Sequence, residues 1–284
     1  MKKVTYIFNI ALVTVLMACT AASTYAKTIN FAIASDIHYS SITETENRKF
    51  TNGAKALNGL IDRINENKYD YVVFLGDNID KSNKKNLVAF LNTVKKIKTP
   101  YYLVPGNHDT HKISGLTKEE YAKIVHEYNK TQKKAATSYY FYPSADIIAI
   151  VLDNVSSGMP STHGMYNDKT LKFLDETLSK NKNKKAIIFQ HVPFVEPYES
   201  PSHNILEKDE FNAVIRRHDN ILAICSGHYH REFVKRDDRG IYHISAPALY
   251  EAPYYYYELQ IKYDKKPFLK PQNVKIDGTA KPAI

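Results

Sequence analysis

Six short apolar runs, rich in β-branched and aromatic residues, recur along the chain, and most end in a polar cluster. They are NFAIASD (30–36), YVVFLGD (71–77), YYLVPG (101–106), DIIAIVLD (146–153), KAIIFQH (185–191) and ILAICSGH (221–228). Runs this short and this continuous in apolar residues predict strands buried on both faces. The segments KALNGLIDRINEN, LVAFLNTVKKI, TKEEYAKIVHEY, DKTLKFLDETLSK and KDEFNAVIRRH fall between them, with apolar residues three and four apart, which predicts helices. Thr117 and Glu120 stand at capping-box spacing at the start of the third. Alternation of this kind predicts an α/β fold with largely parallel strands. After residue 230 the pattern turns hairpin-like, with REFVKR, a turn at DDRG, IYHISA and YYYYELQIKY. The expected architecture is a two-sheet β-sandwich flanked by helices, in one domain over residues 27–284.

Residues 1–26 are read apart from the fold. Lys2 and Lys3 precede the apolar run 7–18 and small residues up to Ala26, the layout of a secretory signal peptide. The run is shorter than the roughly 20 residues a membrane-crossing helix needs. An exported protein, periplasmic or secreted, is therefore expected. Thr24-Tyr25-Ala26 suits ordinary cleavage, whereas Leu16-Met17-Ala18-Cys19 resembles a lipobox whose Cys19 would carry a lipid. The soluble form is preferred, and a lipid on Cys19 is the one route to a membrane. Cys225 is then the remaining thiol, which excludes an intramolecular disulfide, and its apolar surroundings place it in the core. The formal charge of +9, two units of it in the leader, suits an anionic ligand. The basic residues are mostly scattered lysines on expected helix faces, without interleaved arginine and aromatic residues. No stable complex with nucleic acid is expected from that pattern.

In open α/β sheets ligands bind beyond the carboxyl ends of the strands. Here those ends carry Asp36-Ile37-His38, Gly76-Asp77-Asn78-Ile79-Asp80, Gly106-Asn107-His108-Asp109, Gln190-His191 and Gly227-His228-Tyr229-His230. Asp-x-His and His-x-His would aim two side chains the same way from an extended segment. The glycines before Asp77, Asn107 and His228 would let the backbone approach a ligand closely. Nitrogen and oxygen ligands without thiolate suit divalent Zn, Mn or Fe. Six or seven such ligands exceed one tetrahedral site, and two adjacent ions sharing a carboxylate would use them.

The ordered set D-x-H, G-D-x-x-D, G-N-H-D, a lone H and G-H-x-H, spanning residues 36–230, resembles the calcineurin-like metallophosphoesterase family. The resemblance implies a four-layer α/β/β/α sandwich, a dinuclear metal site and phosphoric ester hydrolysis. It assigns Asp36, His38 and His230 to a first ion, Asp77 to a bridge, and Asn107, His191 and His228 to a second. It makes His108 the proton donor to the leaving group, with Asp80 orienting its imidazole.

Other candidates are weaker. His126, His163, His203, His218 and His243 are read as surface or core residues without a role, and His111 as an exposed loop residue. Asp109 is either an acceptor for a ligand imidazole or a cap for its turn. Half of Tyr254 to Tyr257 should be core and half surface. A phosphate- or metal-binding protein without turnover would need the ligands but neither His108 nor its orienting group, so an enzyme is preferred. Asp80 stands where purple acid phosphatases have a tyrosine ligand, and they lack a histidine at the place of His38. Only residues 231–284 follow His230, short of the C-terminal substrate domain of large exported 5′-nucleotidases. A compact phosphodiesterase acting on a small phosphoester, nucleotides among the candidates, is expected. A phosphomonoesterase is the runner-up.

Overall fold

The computed structural model describes residues 27–40, 50–263, 268–277 and 280–282. The expected leader, with Cys19, lies outside the described residues. No helix among the described residues is long and apolar enough to cross a membrane.

The chain runs β1 (Lys27–Ala34), α1 (Phe50–Glu66), β2 (Tyr71–Phe74), α2 (Lys84–Val94), β3 (Tyr101–Leu103) and α3 (Lys118–Tyr128). It continues with β4 (Tyr139–Phe141), β5 (Ile147–Val151), α4 (Asp168–Lys180), β6 (Lys185–Phe189), α5 (Lys208–Ile215) and β7 (Ile221–Ser226). Then follow β8 (Phe233–Arg236), β9 (Tyr242–Ser245), β10 (Tyr255–Tyr263), β11 (Phe268–Lys275) and β12 (Ala280–Pro282). One sheet has the order β12-β11-β10-β1-β2-β3 and the other β4-β5-β6-β7-β9-β8. β1, β2 and β3 are parallel neighbours, as are β5, β6, β7 and β9. The parallel strands send their carboxyl ends to one edge of the molecule, where the polar clusters meet.

The continuous apolar runs have a direct cause. In β6, Ile187 and Phe189 face the other sheet, packing with Phe31, Ile33 and Val73. Ala186 and Ile188, one residue out of phase, face Leu174 and Leu178 of α4 and Phe211 of α5. β1 does the same, with Ile29, Phe31 and Ile33 between the sheets and Ala32 and Ala34 under Leu57 and Leu60 of α1. The result is helix, sheet, sheet, helix. Each fully buried Val, Leu, Ile or Phe contributes roughly 1.5–3 kcal/mol of transfer free energy to this packing. Cys225 lies fully buried in the inter-sheet core.

α3 starts with the predicted capping box, in which Thr117 accepts from the Glu120 N–H and the Glu120 carboxylate accepts from the Thr117 N–H at 2.9 Å. Half of the tyrosine row is core, as expected, but the buried pair, Tyr256 and Tyr257, is adjacent and not alternating. β10 is an inner strand covered on both sides, so Tyr256 joins the helix-side core and Tyr257 the inter-sheet core. β4, β11 and β12 were not evident in the apolar pattern. β11 contains Pro271, which pairs with Leu259 of β10 and precedes the 272–274 stretch that pairs with β12, a tolerable place for a residue without an N–H.

Candidate metal centre

The strands β1, β2, β3, β6 and β7 end one to three residues before their polar clusters, and the chain then turns sharply. Asp36, His38, Asp77, His228 and His230 all have positive φ, between 46° and 70°. The D-x-H and H-x-H pairs therefore converge from left-handed turns and not, as the alternation argument supposed, from an extended segment. Left-handed backbone at a non-glycine residue costs about 1–3 kcal/mol and persists where surrounding contacts impose it. Those contacts are present: the N–H of Asp36 donates to the Gly76 carbonyl at 3.0 Å and that of His38 to the Asp77 carbonyl at 2.9 Å. Gly76 has φ +97°, and a Cβ there would lie 2.5 Å from His191 Nδ1. A Cβ on Gly106 would strike the main-chain nitrogen of Asp77. Both glycines are demanded by close approach.

Asp36 and Asp77 are buried. Asp36 Oδ2 accepts from Ser35 Oγ at 2.6 Å and from the His228 N–H at 2.9 Å. Its other oxygen, Oδ1, is buried without a hydrogen-bond partner among the described residues and lies 3.4 Å from His230 Nε2. Asp77 Oδ1 accepts from the His108 N–H at 2.9 Å and stands 3.4 Å from His191 Nε2. Asp77 Oδ2 stands 3.6 Å from His38 Nε2 and 4.0 Å from His108 Nε2. Asn107 Oδ1 is 3.0 Å from His191 Nε2. Two ligands each ~2.1 Å from one ion and ~110° apart would be separated by ~3.4 Å, the spacing seen here.

The outer ring nitrogens are fixed by acceptors. His191 Nδ1 donates to the Leu75 carbonyl at 2.8 Å, and His228 Nε2 to the Thr162 carbonyl at 2.8 Å. His230 Nδ1 lies 2.9 Å from Glu251 Oε1. These contacts leave Nε2 of His191 and His230 and Nδ1 of His228 to face the interior, as metal-ligating histidines require. Among the described residues three groups could each hold an ion: Asp36, His38 and His230; Asp77, His191 and His228; and His38, Asp77 and His108. The first two, with Asn107, contain all seven residues expected as ligands.

Charge is tightly interlocked. Burial would raise the Asp77 carboxyl, yet His191, His108 and His38 hold it well below the usual carboxylate range. Burial likewise opposes Asp36, which His230 holds low. Burial would lower His191, but Asp77 and then Asp36 bring it up to about 9. His230 rises against its burial to about 10 through Asp36 and Glu251. Burial and the neighbouring His191 push His228 down to about 3, and burial lowers His38.

The structure adds detail at His108 and Asp109. His108 Nδ1 lies 2.8 Å from the main-chain carbonyl oxygen of Asp80, so its ring is oriented by the backbone. The Asp80 carboxylate instead stands 3.6 Å from His38 Nδ1. Asp109 proves to be a turn cap: it accepts from the N–H groups of Gly106 at 2.8 Å and Ile79 at 3.0 Å and from the Asn78 amide at 2.9 Å. Two residues were missed. His203, expected to be filler, lines the pocket over the ligands with Tyr198 and Tyr229, its ring 5.2 Å from that of His228. Glu251 follows β9 in a segment without a motif, and only its place beside His230 reveals it.

The chain has clear relatives. The family model for calcineurin-like phosphoesterases matches residues 29–232. A probable glycerophosphodiester phosphodiesterase of Arcobacter nitrofigilis is 28% identical over 182 residues, 62% of this chain. The match spans 63% of that relative, less than two thirds of its length. A manganese-dependent ADP-ribose/CDP-alcohol diphosphatase of Arabidopsis thaliana is 23% identical over 277 residues, covering 79% of this chain and 87% of the relative. Among solved structures, a dimetal phosphatase from Danio rerio superposes with a TM-score of 0.67 at 16% identity, over 90% of this chain and 96% of that one. The family depends on paired divalent ions, and the buried Asp36 oxygen and the spacing around Asp77 fit them. On that match, this chain belongs to the calcineurin-like phosphoesterase family.

Proposed function

We propose that the chain hydrolyses phosphodiesters, with Asp36, His38 and His230 holding one divalent ion, Asn107, His191 and His228 a second, and Asp77 shared between them. The observation that carries this reading is the position of Asp77, whose two carboxylate oxygens face His191 on one side and His38 on the other. Ions bound there would supply Lewis acidity to the phosphoryl oxygens and to an attacking water. His108 keeps a part-exposed side chain beside this carboxylate, with Nδ1 turned to the Asp80 carbonyl. Its Nε2, when protonated, is placed to give a proton to the departing oxygen. The buried carboxylates and imidazoles would fix the ions, and through them the reacting phosphate, so little reorganisation would accompany the charge that develops on it.

The names of the Arcobacter and Arabidopsis relatives favour a phosphorus linked on both sides. Metal-loaded protein is expected to cleave bis(p-nitrophenyl) phosphate with a higher kcat/KM than p-nitrophenyl phosphate. A preference for the monoester overturns the diester reading. Inactivity on every ester with two ions bound would leave a binding protein.

A further inference from the structure

The cleft over Asp77 has two lobes that meet at Asn107, His108 and Thr162. The smaller, about 190 Å³, lies over the ligand residues and is walled by Tyr198, His203 and Tyr229. The larger, about 550 Å³, runs past Lys81, Asn83, His111 and Ser114, none of which is needed to hold an ion. Its size is that of a pocket for a whole substituent.

The junction fixes how a substrate would lie. If phosphorus sits against Asp77 with His108 beside it, an in-line displacement sends the leaving oxygen away from the ligand residues. Of the two lobes, the larger is the one whose lining holds no expected ligand apart from Asn107, and His108 lines both lobes. The larger lobe is also biased in charge. Lys81 is exposed at its rim. Among the described residues its one lining carboxylate, Asp80, is buried and stands beside His38. The remaining lining offers amides, hydroxyls and imidazoles.

From these positions we infer that the larger lobe is the leaving-group subsite and that Lys81 selects leaving groups bearing a further negative charge. The substrate is then a linear phosphodiester or diphosphate laid across both lobes. A cyclic diester, with both ester oxygens on one small ring, fills one lobe and leaves the other empty. This inference rests on the phosphodiesterase reading. The interaction proposed is a charge-assisted contact at the rim of the cleft.

The test uses metal-loaded protein and three esters of one chemistry: thymidylyl-(3′→5′)-thymidine, the same dinucleotide with a terminal 3′-phosphate, and thymidine 3′,5′-cyclic phosphate. Bis(p-nitrophenyl) phosphate is the reference. The terminal phosphate should raise kcat/KM for cleavage of the internal diester by about tenfold, chiefly through KM. The cyclic ester should be the poorest of the three. Lys81→Glu, an exposed substitution, should abolish the tenfold advantage, and Lys81→Arg should restore most of it. Equal rates with and without the terminal phosphate, or an advantage that survives Lys81→Glu, overturn the subsite while turnover of the reference keeps the phosphodiesterase reading standing. Inactivity on the reference with two ions bound overturns that reading and this inference with it.

Discussion

Glu251 Oε1 lies 2.9 Å from His230 Nδ1, while the opposite nitrogen of the same ring faces Asp36 Oδ1 at 3.4 Å. The carboxylate fixes the tautomer of the imidazole and raises its basicity, so it should act on the first ion without touching it. Glu251→Ala is expected to weaken that ion about 10–100-fold, the usual effect of losing such a partner. The second ion, held through His191 and His228, should change less. Titration of metal-free variant with Mn²⁺ reads both sites, and unchanged affinity at both would remove Glu251 from the metal centre.

Protons and ions compete at two of the histidines. In the metal-free protein His191 and His230 hold their extra protons up to about pH 9 and about pH 10, so both are imidazolium at pH 7. Ligation through Nε2 requires each to lose one proton. His228 and His38 are pushed the other way and are already neutral. Loading at pH 7 should therefore release about two protons per chain, one per ion, and apparent affinity should climb as pH rises towards 9–10. Calorimetry in buffers of different ionisation enthalpy counts the protons. A count near zero would mean that neither ring ligates through its protonated nitrogen.

Much of this arrangement was readable in the chain, and the remainder had physical reasons to be hidden. β5, β6 and β7 showed as apolar runs because both faces are covered, and Asp36, Asp77, His191 and His228 showed because they follow such runs. The backbone that makes them converge did not show. A positive φ at Asp36 or His228 is imposed by contacts such as Asp36 N–H to the Gly76 carbonyl, between residues forty positions apart. Glu251 and His203 reach the site from segments whose local pattern carries no periodicity, so only tertiary packing identifies them. The orienting group for His108 is the carbonyl of Asp80, and a backbone atom leaves no trace in residue identity.

Holding ions and doing chemistry can be separated at His108, because it belongs to a third group of ligand type with His38 and Asp77. Asp77 faces imidazoles on both sides, so Asp77→Asn should weaken both ions together and bring bound metal towards zero. His108 Nε2 stands farther from Asp77, at 4.0 Å, with its side chain 27% exposed. His108→Ala should keep about two ions per chain, as the family's paired site implies. Its kcat should fall by roughly 10²–10⁴ on alkyl esters, the usual worth of a general acid. With p-nitrophenolate as leaving group the fall should be smaller, since that anion departs without much protonation. Elemental analysis beside kinetics on the two ester types distinguishes the outcomes. Loss of metal in His108→Ala would make His108 a ligand through the group it forms with His38 and Asp77. Retention of both ions with full activity on an alkyl ester would place the proton donor elsewhere, and His203, across the cleft beside His228, would be the next residue to replace.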